Sequence, residues 1–135
     1  MRNYFKQPPT EAAYVLLRTL AGAMFTFHGL QKLFGIESTS TPRIGSQVWV
    51  GGIIELVCGI AIALGIGTRW AAFLASGTMA VAYVQFHWGL HFDSRFWPAV
   101  NKGELALVYC LLFFYIACRG GGRWAIDRRW ATDRR

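Results

Sequence analysis

Apolar residues in this chain fall into four blocks, roughly Glu11–Phe34, Gln47–Ile66, Arg69–Leu90 and Gly103–Cys118. The first three reach the ~20 residues that span a bilayer's hydrocarbon core. The fourth is shorter but borders the aromatic stretch "SRFWPAV". A soluble helical protein would carry charged faces at a 3.6-residue period, whereas these blocks are apolar all round. The pattern predicts an all-α, integral membrane four-helix transmembrane bundle. Residues 1–10 read as a polar lead-in, 11–118 as the transmembrane domain with spans about 11–34, 47–66, 69–90 and 103–118, and 119–135 as a basic tail.

The polar segments fix the connections. "GIESTSTPRIGS" is rich in Ser, Thr, Gly and Pro and reads as an outer loop. "GIGTR" allows only a tight turn, so spans two and three are expected to be antiparallel neighbours. "HFDSRFWPAVNKG" forms a second outer loop whose Phe92, Phe96, Trp97 and Pro98 suit the headgroup zone. Gly120–Gly122 breaks the fourth helix. The first block is a retained span and not a cleaved signal: it is too long, Arg18 interrupts it, and no small-x-small cleavage site follows. Gly22, Gly51, Gly52 and Gly59, with Ala71, Ala75 and Ser76 in the third span, are small enough for close helix packing.

Composition adds orientation. The formal charge is +7 over 135 residues. Arg2, Lys6, Arg69 and the six arginines from Arg119 to Arg135 lie on one side, nine against Arg43, Arg95 and Lys102 on the other. The positive-inside rule then puts both termini in the cytoplasm. The tail "RGGGRWAIDRRWATDRR" interleaves Trp and Arg in a way that suits an anionic lipid surface, so the bilayer and not nucleic acid is the expected partner. Cys58, Cys110 and Cys118 form no C-x-x-C pair and read as small buried hydrophobes. P-loop, dinucleotide, G-x-S-x-G and zincin motifs are absent, so any chemistry belongs to a membrane pocket.

Depth singles out the candidates. At ~1.5 Å per residue, His28 lies about 9 Å below the outer end of span one and Lys32 about 3 Å, on one helical face. Glu55 sits about 12 Å into span two, Gln85 and His87 roughly 5–8 Å below the end of span three, and Tyr109 about 9 Å into span four. Glu104 stands at the mouth of span four, where an anion favours a helix N-terminus and Asn101 is placed to cap it. An ionisable side chain near mid-membrane is costly, so Glu55 must face the interior, be protonated or pair with His28 or Lys32. Glu55 and His28 make a candidate proton-handling pair, with Lys32, Tyr109, Gln85, His87 and Glu104 as ligand-binding candidates. The plainer alternative is that Glu55, His28 and Lys32 only tie helices together. His87 and His91, four apart, could ligate a haem, but histidines at a membrane edge are usually interfacial, and no metal centre is assigned.

"LLRTLAGAMFTFHGLQKLFG", "GGIIELVCGIAIALGIGTRWAA" and "NKGELALVYCLLFFYIACRGGGRWAID" resemble the DoxX family of small bacterial membrane proteins, in the family's order. The matching positions are Arg18, His28, Gly29, Lys32, Gly52, Glu55, Gly59, Gly65, Arg69, Gly103, Glu104 and Gly122 to Asp127. The resemblance implies four transmembrane helices in a bacterial inner membrane and a loose association with oxidoreductases, some of them quinone-linked. Two functions are expected on that footing. One is a quinone- or redox-linked oxidoreductase subunit with a polar pocket in the outer half of the membrane. No redox centre is visible in the chain, so a soluble or membrane oxidoreductase partner would supply electrons. The other is a non-enzymatic scaffold, assembly or resistance factor that holds a partner or a small lipophilic compound. A homo-oligomer is compatible with either.

Overall fold

The computed structural model describes residues 10–132, with side chains up to Arg129. The expected lead-in, apart from Thr10, lies outside the described residues, as do Arg134 and Arg135. Every described element is helical: α1 (Thr10–Phe34), α2 (Gln47–Leu64), α3 (Thr68–Ala82) continued by a π-helical segment (Tyr83–Trp88), a 3₁₀ turn (Ser94–Phe96), α4 (Pro98–Asn101), α5 (Glu104–Arg119) and α6 (Ile126–Thr132). The four long helices run alternately up and down. Their "crown" comprises the end of α1, the start of α2, the π segment and the start of α5; the opposite end is the base.

Glycine sets the α1–α2 seam. Gly22 and Gly29 on α1 face Gly52 and Gly59 on α2, both pairs seven residues apart, so one stripe repeats every two turns. A Cβ on Gly29 would lie 2.5 Å from the Leu56 nitrogen, and one on Gly22 would lie 2.5 Å from the Ala63 nitrogen. The backbones therefore touch, as small-residue membrane interfaces allow. Gly51 takes no part in this seam: nothing lies within 4 Å of a Cβ built there.

The second seam joins α3 to α5. Ala72, Ala75, Ser76 and Met79 are buried there, and the Ser76 hydroxyl donates to the Cys110 carbonyl at 2.7 Å. The two seams are closed by aromatic side chains at the centre. Phe25 of α1 meets Phe113 and Tyr109 of α5 at ring-centroid distances of 4.7 and 5.5 Å.

Around this apolar core the bundle also exposes many large apolar side chains and buries two charged ones. Leu17, Leu20, Met24, Val57, Ile60, Phe73, Leu74, Val108, Leu111 and Phe114 are exposed, while Arg18 and Glu55 are each 2% exposed. Among the described helices, α2, with 18 residues and a mean hydropathy of 2.0, is long and apolar enough on its own to cross a membrane. The other long helices fall short for visible reasons. Glu11, Arg18, His28 and Lys32 dilute α1, α5 stops after 16 residues, and the third block leaves α geometry at Tyr83.

The base is closed by side chains that satisfy helix ends. Arg18 donates from inside α1 to the Ile62 and Ala63 carbonyls in the last turn of α2. Arg69 does the same for α5, through the carbonyls of Ala117, Cys118 and Arg119. Arg119 pairs with Glu11 and lies 3.8 Å from the Tyr14 ring centroid. The start of α3, which has no side-chain cap of its own, is capped from α6. Asp127 accepts from the Gly67 and Thr68 nitrogens at 2.7 and 3.0 Å and from the Thr68 hydroxyl at 3.1 Å. Partial burial alone would raise this carboxyl, but the Thr68 and Gly67 donors outweigh it and hold Asp127 below the usual carboxylate range.

Candidate functional site

The α1–α2 seam brings Lys32, in the last turn of α1, against α2, where its ammonium donates to Glu55 Oε1 at 2.5 Å. The Glu55 side chain is buried, whereas the Lys32 side chain keeps 34% exposure. The other carboxylate oxygen, Oε2, is buried and has no hydrogen-bond partner. Of the two partners depth allowed for Glu55, the structure pairs it with the lysine.

Both residues stand on the wall of a cavity of about 650 Å³ between α2 and α3. The remaining wall is largely apolar, with Ile54, Phe73, Val81 and Phe86, and with Gln47, Thr78 and His87 as its other polar members. The volume lies within the ~300–1,000 Å³ of ligand pockets. Two glycines keep it open. Gly51 and Gly77 line the cavity, and a Cβ on either meets nothing within 4 Å.

The π segment shapes the crown side of this space. The Gly89 N–H reaches back five residues to the Val84 carbonyl at 2.8 Å, a widening typical of π turns at functional positions. His87 faces the cavity, with Nδ1 3.4 Å from the Asn101 carbonyl oxygen. Gln85 is exposed and pairs through its side chain with Gln47. His91 does not continue the face of His87. Gly89 and Leu90 both take φ of 58° and end the helix between them, so their four-residue spacing is not helical.

His28 and Tyr109 line a different hollow, a groove of about 500 Å³ between α1 and α5 with Met24, Phe27 and Leu105. Their rings meet edge to face at 6.1 Å. Among the described residues no hydrogen bond joins His28 to Glu55, and the two members of the expected proton-handling pair line different hollows. Glu104 is exposed in the first turn of α5. Asn101 does not cap that helix. Gly103 occupies the cap position, and Asn101 Oδ1 accepts from the Gly103 nitrogen at 2.8 Å while its amide donates to the Arg95 carbonyl. Sequence reasoning missed Gln47, which sits at the first position of α2, and the hollow left by Gly51 and Gly77. Only the missing side chains themselves could have signalled that space.

The DoxX family model matches residues 13–88, from the first turn of α1 to the end of the π segment. The chain belongs to the DoxX family. The matched region contains Lys32, Glu55 and the α2–α3 cavity of this DoxX protein; Tyr109 and Glu104 lie beyond it. A Haemophilus influenzae protein described as uncharacterized is 38% identical over 133 residues, covering 96% of this chain and 97% of its own length. An uncharacterized membrane protein of Mycobacterium tuberculosis is 26% identical over 129 residues, covering 85% of this chain and 79% of its own. No solved structure matches the chain. Family and relatives together make this a DoxX membrane protein.

Proposed function

We propose that this DoxX protein crosses a bacterial inner membrane four times, through α1, α2, α3 with its π continuation, and α5, with both termini in the cytoplasm. The exposed apolar faces of those helices and the arginine-rich base support this topology. Within it, the α2–α3 cavity binds the ring of a lipophilic quinone, and the protein serves a partner oxidoreductase that exchanges the electrons. The observation that carries the reading is the Lys32–Glu55 ion pair, the charged feature of a largely apolar wall, with one carboxylate oxygen unpartnered.

The residues fit such a group. The apolar wall accepts a ring and its tail. Lys32 has three N–H donors, of which Glu55 Oε1 occupies one, so it can donate to a ring oxygen. Glu55 can hold or release a proton beside that oxygen. A bound quinone would supply two-electron chemistry; the chain supplies orientation and proton handling.

The test is saturable binding of a short-tailed quinone to the full chain in nanodiscs, compared with Gly77→Leu and Lys32→Met. Binding by the parent and loss in both variants is expected. Absence of saturable binding, or binding indifferent to Gly77→Leu, would reject the cavity as the site. A second reading, a non-enzymatic scaffold, is favoured by the lipid-facing α1–α5 groove with His28 and Tyr109. It predicts that Glu55→Gln and Lys32→Met leave the cellular phenotype unchanged while Phe27→Ala at that groove abolishes it.

A further inference from the structure

We infer that Arg69 and the α3–α5 groove beside it bind one anionic phospholipid, with its phosphate on the guanidinium and an acyl chain along the groove. The inference rests on the proposed topology, which puts the base of the bundle at a membrane surface, and not on the quinone reading.

Arg69 is the second residue of α3, and its guanidinium is held in one place. Nη1 donates to the Ala117 and Cys118 carbonyls at 3.1 and 2.5 Å, and Nη2 to the Arg119 carbonyl at 3.3 Å, all in the last turn of α5. Gly120 makes room for this arrangement. A Cβ there would lie 3.2 Å from Nε and 3.3 Å from Cζ, and its φ of 85° also favours glycine. Three of the five N–H groups are thereby used, and two are left.

What this guanidinium lacks is a counter-ion. Among the described residues the acidic side chains of the base are Glu11 and Asp127. Glu11 pairs with Arg119, and Asp127 accepts from the start of α3. No described carboxylate pairs with Arg69, although the residue is exposed. The α5 carbonyls offer it only partial charges.

Beside it runs a groove of about 360 Å³ lined by Arg69, Trp70, Phe73, Phe114, Ala117 and Cys118. Phe73 and Phe114 stand four residues, about 6 Å, inward of Arg69 and Cys118. The cation is therefore at the mouth and the apolar walls lie deeper, which is the order of phosphate and chain in a lipid. Trp70, 81% exposed, flanks the mouth at headgroup level. An arginine can take two phosphate oxygens through paired N–H groups, and one already fixed by the protein loses little freedom in doing so. Free phosphate would answer the charge and leave the groove empty. A lipid without net charge would fill the groove and leave the guanidinium without its anion. An anionic phospholipid does both. One arginine at a membrane surface favours an anionic lipid by about fivefold, and salt screens that preference.

The experiment places the full chain in phosphatidylcholine nanodiscs with a small fraction of either phosphatidylglycerol or phosphatidylcholine carrying a photoactivatable diazirine on one acyl chain, followed by irradiation and peptide mapping. Leu17 and Leu20, exposed on α1, report bulk lipid. The phosphatidylglycerol probe should label Phe114 and Ala117 at least about fivefold more than the phosphatidylcholine probe, with equal labelling of Leu17 and Leu20. Raised salt should reduce the preference, and inorganic phosphate at matched ionic strength should not. Arg69→Gln should bring the ratio to about one, Cys118→Phe should block labelling of the groove by both probes, and Gly77→Leu should change nothing. The comparison of the two probes on the parent carries the test even if Arg69→Gln folds poorly. Equal labelling of the groove by both probes, a preference that survives Arg69→Gln, or displacement by inorganic phosphate overturns the inference and leaves the topology standing. Loss of labelling in Gly77→Leu puts the chain in the α2–α3 cavity and overturns it as well. Labelling of neither the groove nor Leu17 and Leu20 rejects the topology itself, and this inference with it.

Discussion

Replacing Gly29 with alanine should loosen the whole crown, and the size of the effect follows from backbone geometry. The new methyl would sit 2.5 Å from the Leu56 nitrogen and 2.8 Å from the Gly52 oxygen. Ordinary van der Waals contact begins near 3.4 Å, so α1 and α2 must part by about 0.9 Å at that level. Neither obstacle is a side chain that could rotate away. Overpacking of this kind costs about 1–3 kcal/mol. The parting also acts on Lys32, one turn further along α1, and on its reach to Glu55. Gly51→Ala is the matched control. Its Cβ meets nothing within 4 Å, and alanine is the better helix former, so it should be neutral or stabilising by up to about 1 kcal/mol. Thermal unfolding in mild detergent, followed by circular dichroism, ranks the two variants against the parent. Equal stability for Gly29→Ala and Gly51→Ala would refute backbone contact along the seam.

Other outcomes follow from individual contacts. Lys32→Met leaves the buried Glu55 without its cation and should destabilise by up to about 3–5 kcal/mol, reduced because the lysine is one-third exposed; the double variant Lys32→Met/Glu55→Leu should recover much of that loss in the same unfolding assay. Arg18→Met strips the donors from the Ile62 and Ala63 carbonyls and should cost about 1–3 kcal/mol. Asp127→Asn weakens the cap on α3 by about 0.5–2 kcal/mol at neutral pH. Because the folded protein holds this carboxyl below its ordinary value, its contribution is fully present above about pH 4 and drains as pH falls through the folded value. The gap in melting temperature between the parent and Asp127→Asn should therefore narrow as pH falls below the ordinary carboxylate range. A reporter fused after Arg135 should be active in the cytoplasm and silent as a periplasmic reporter; the reverse would overturn the topology.

The helices were legible because apolar runs and turn residues do not depend on what they pack against. Blocks ending near Phe34 and beginning at Gln47 coincide with the ends of α1 and α2, where Ser46 supplies a side-chain cap at 3.2 Å. Relative height along the helices was legible too, since it needs only the rise per residue, and Lys32 does come level with Glu55. Azimuth was not. His28 and Lys32 differ by only about 40° around α1, but Gly29, about 100° from His28, is the residue pressed against α2. Lys32 lies between the two directions and, being long, reaches Glu55. His28 falls on the α5 side and meets Tyr109. A spacing that says "same face" cannot say which neighbour that face meets. The π segment was hidden for a similar reason. Nothing in "YVQFHW" departs from helical composition, and the extra residue per turn is stabilised by contacts at the crown, among them the bond of Asn101 to the Tyr83 hydroxyl. Hollows are the least legible feature, because Gly51 and Gly77 look like Gly52 and Gly59 in the sequence but face open space.

The central claim is that a ligand ring sits between α2 and α3 against Lys32 and Glu55. A photoactivatable quinone incorporated with the full chain in nanodiscs, followed by peptide mapping, tests it most directly. The account predicts labelling on α2 and α3, at residues such as Ile54, Phe73 and Val81, competed away by unlabelled ligand and lost in Gly77→Leu. Competed labelling confined to Met24, Phe27 or Leu105 in the α1–α5 groove would contradict it.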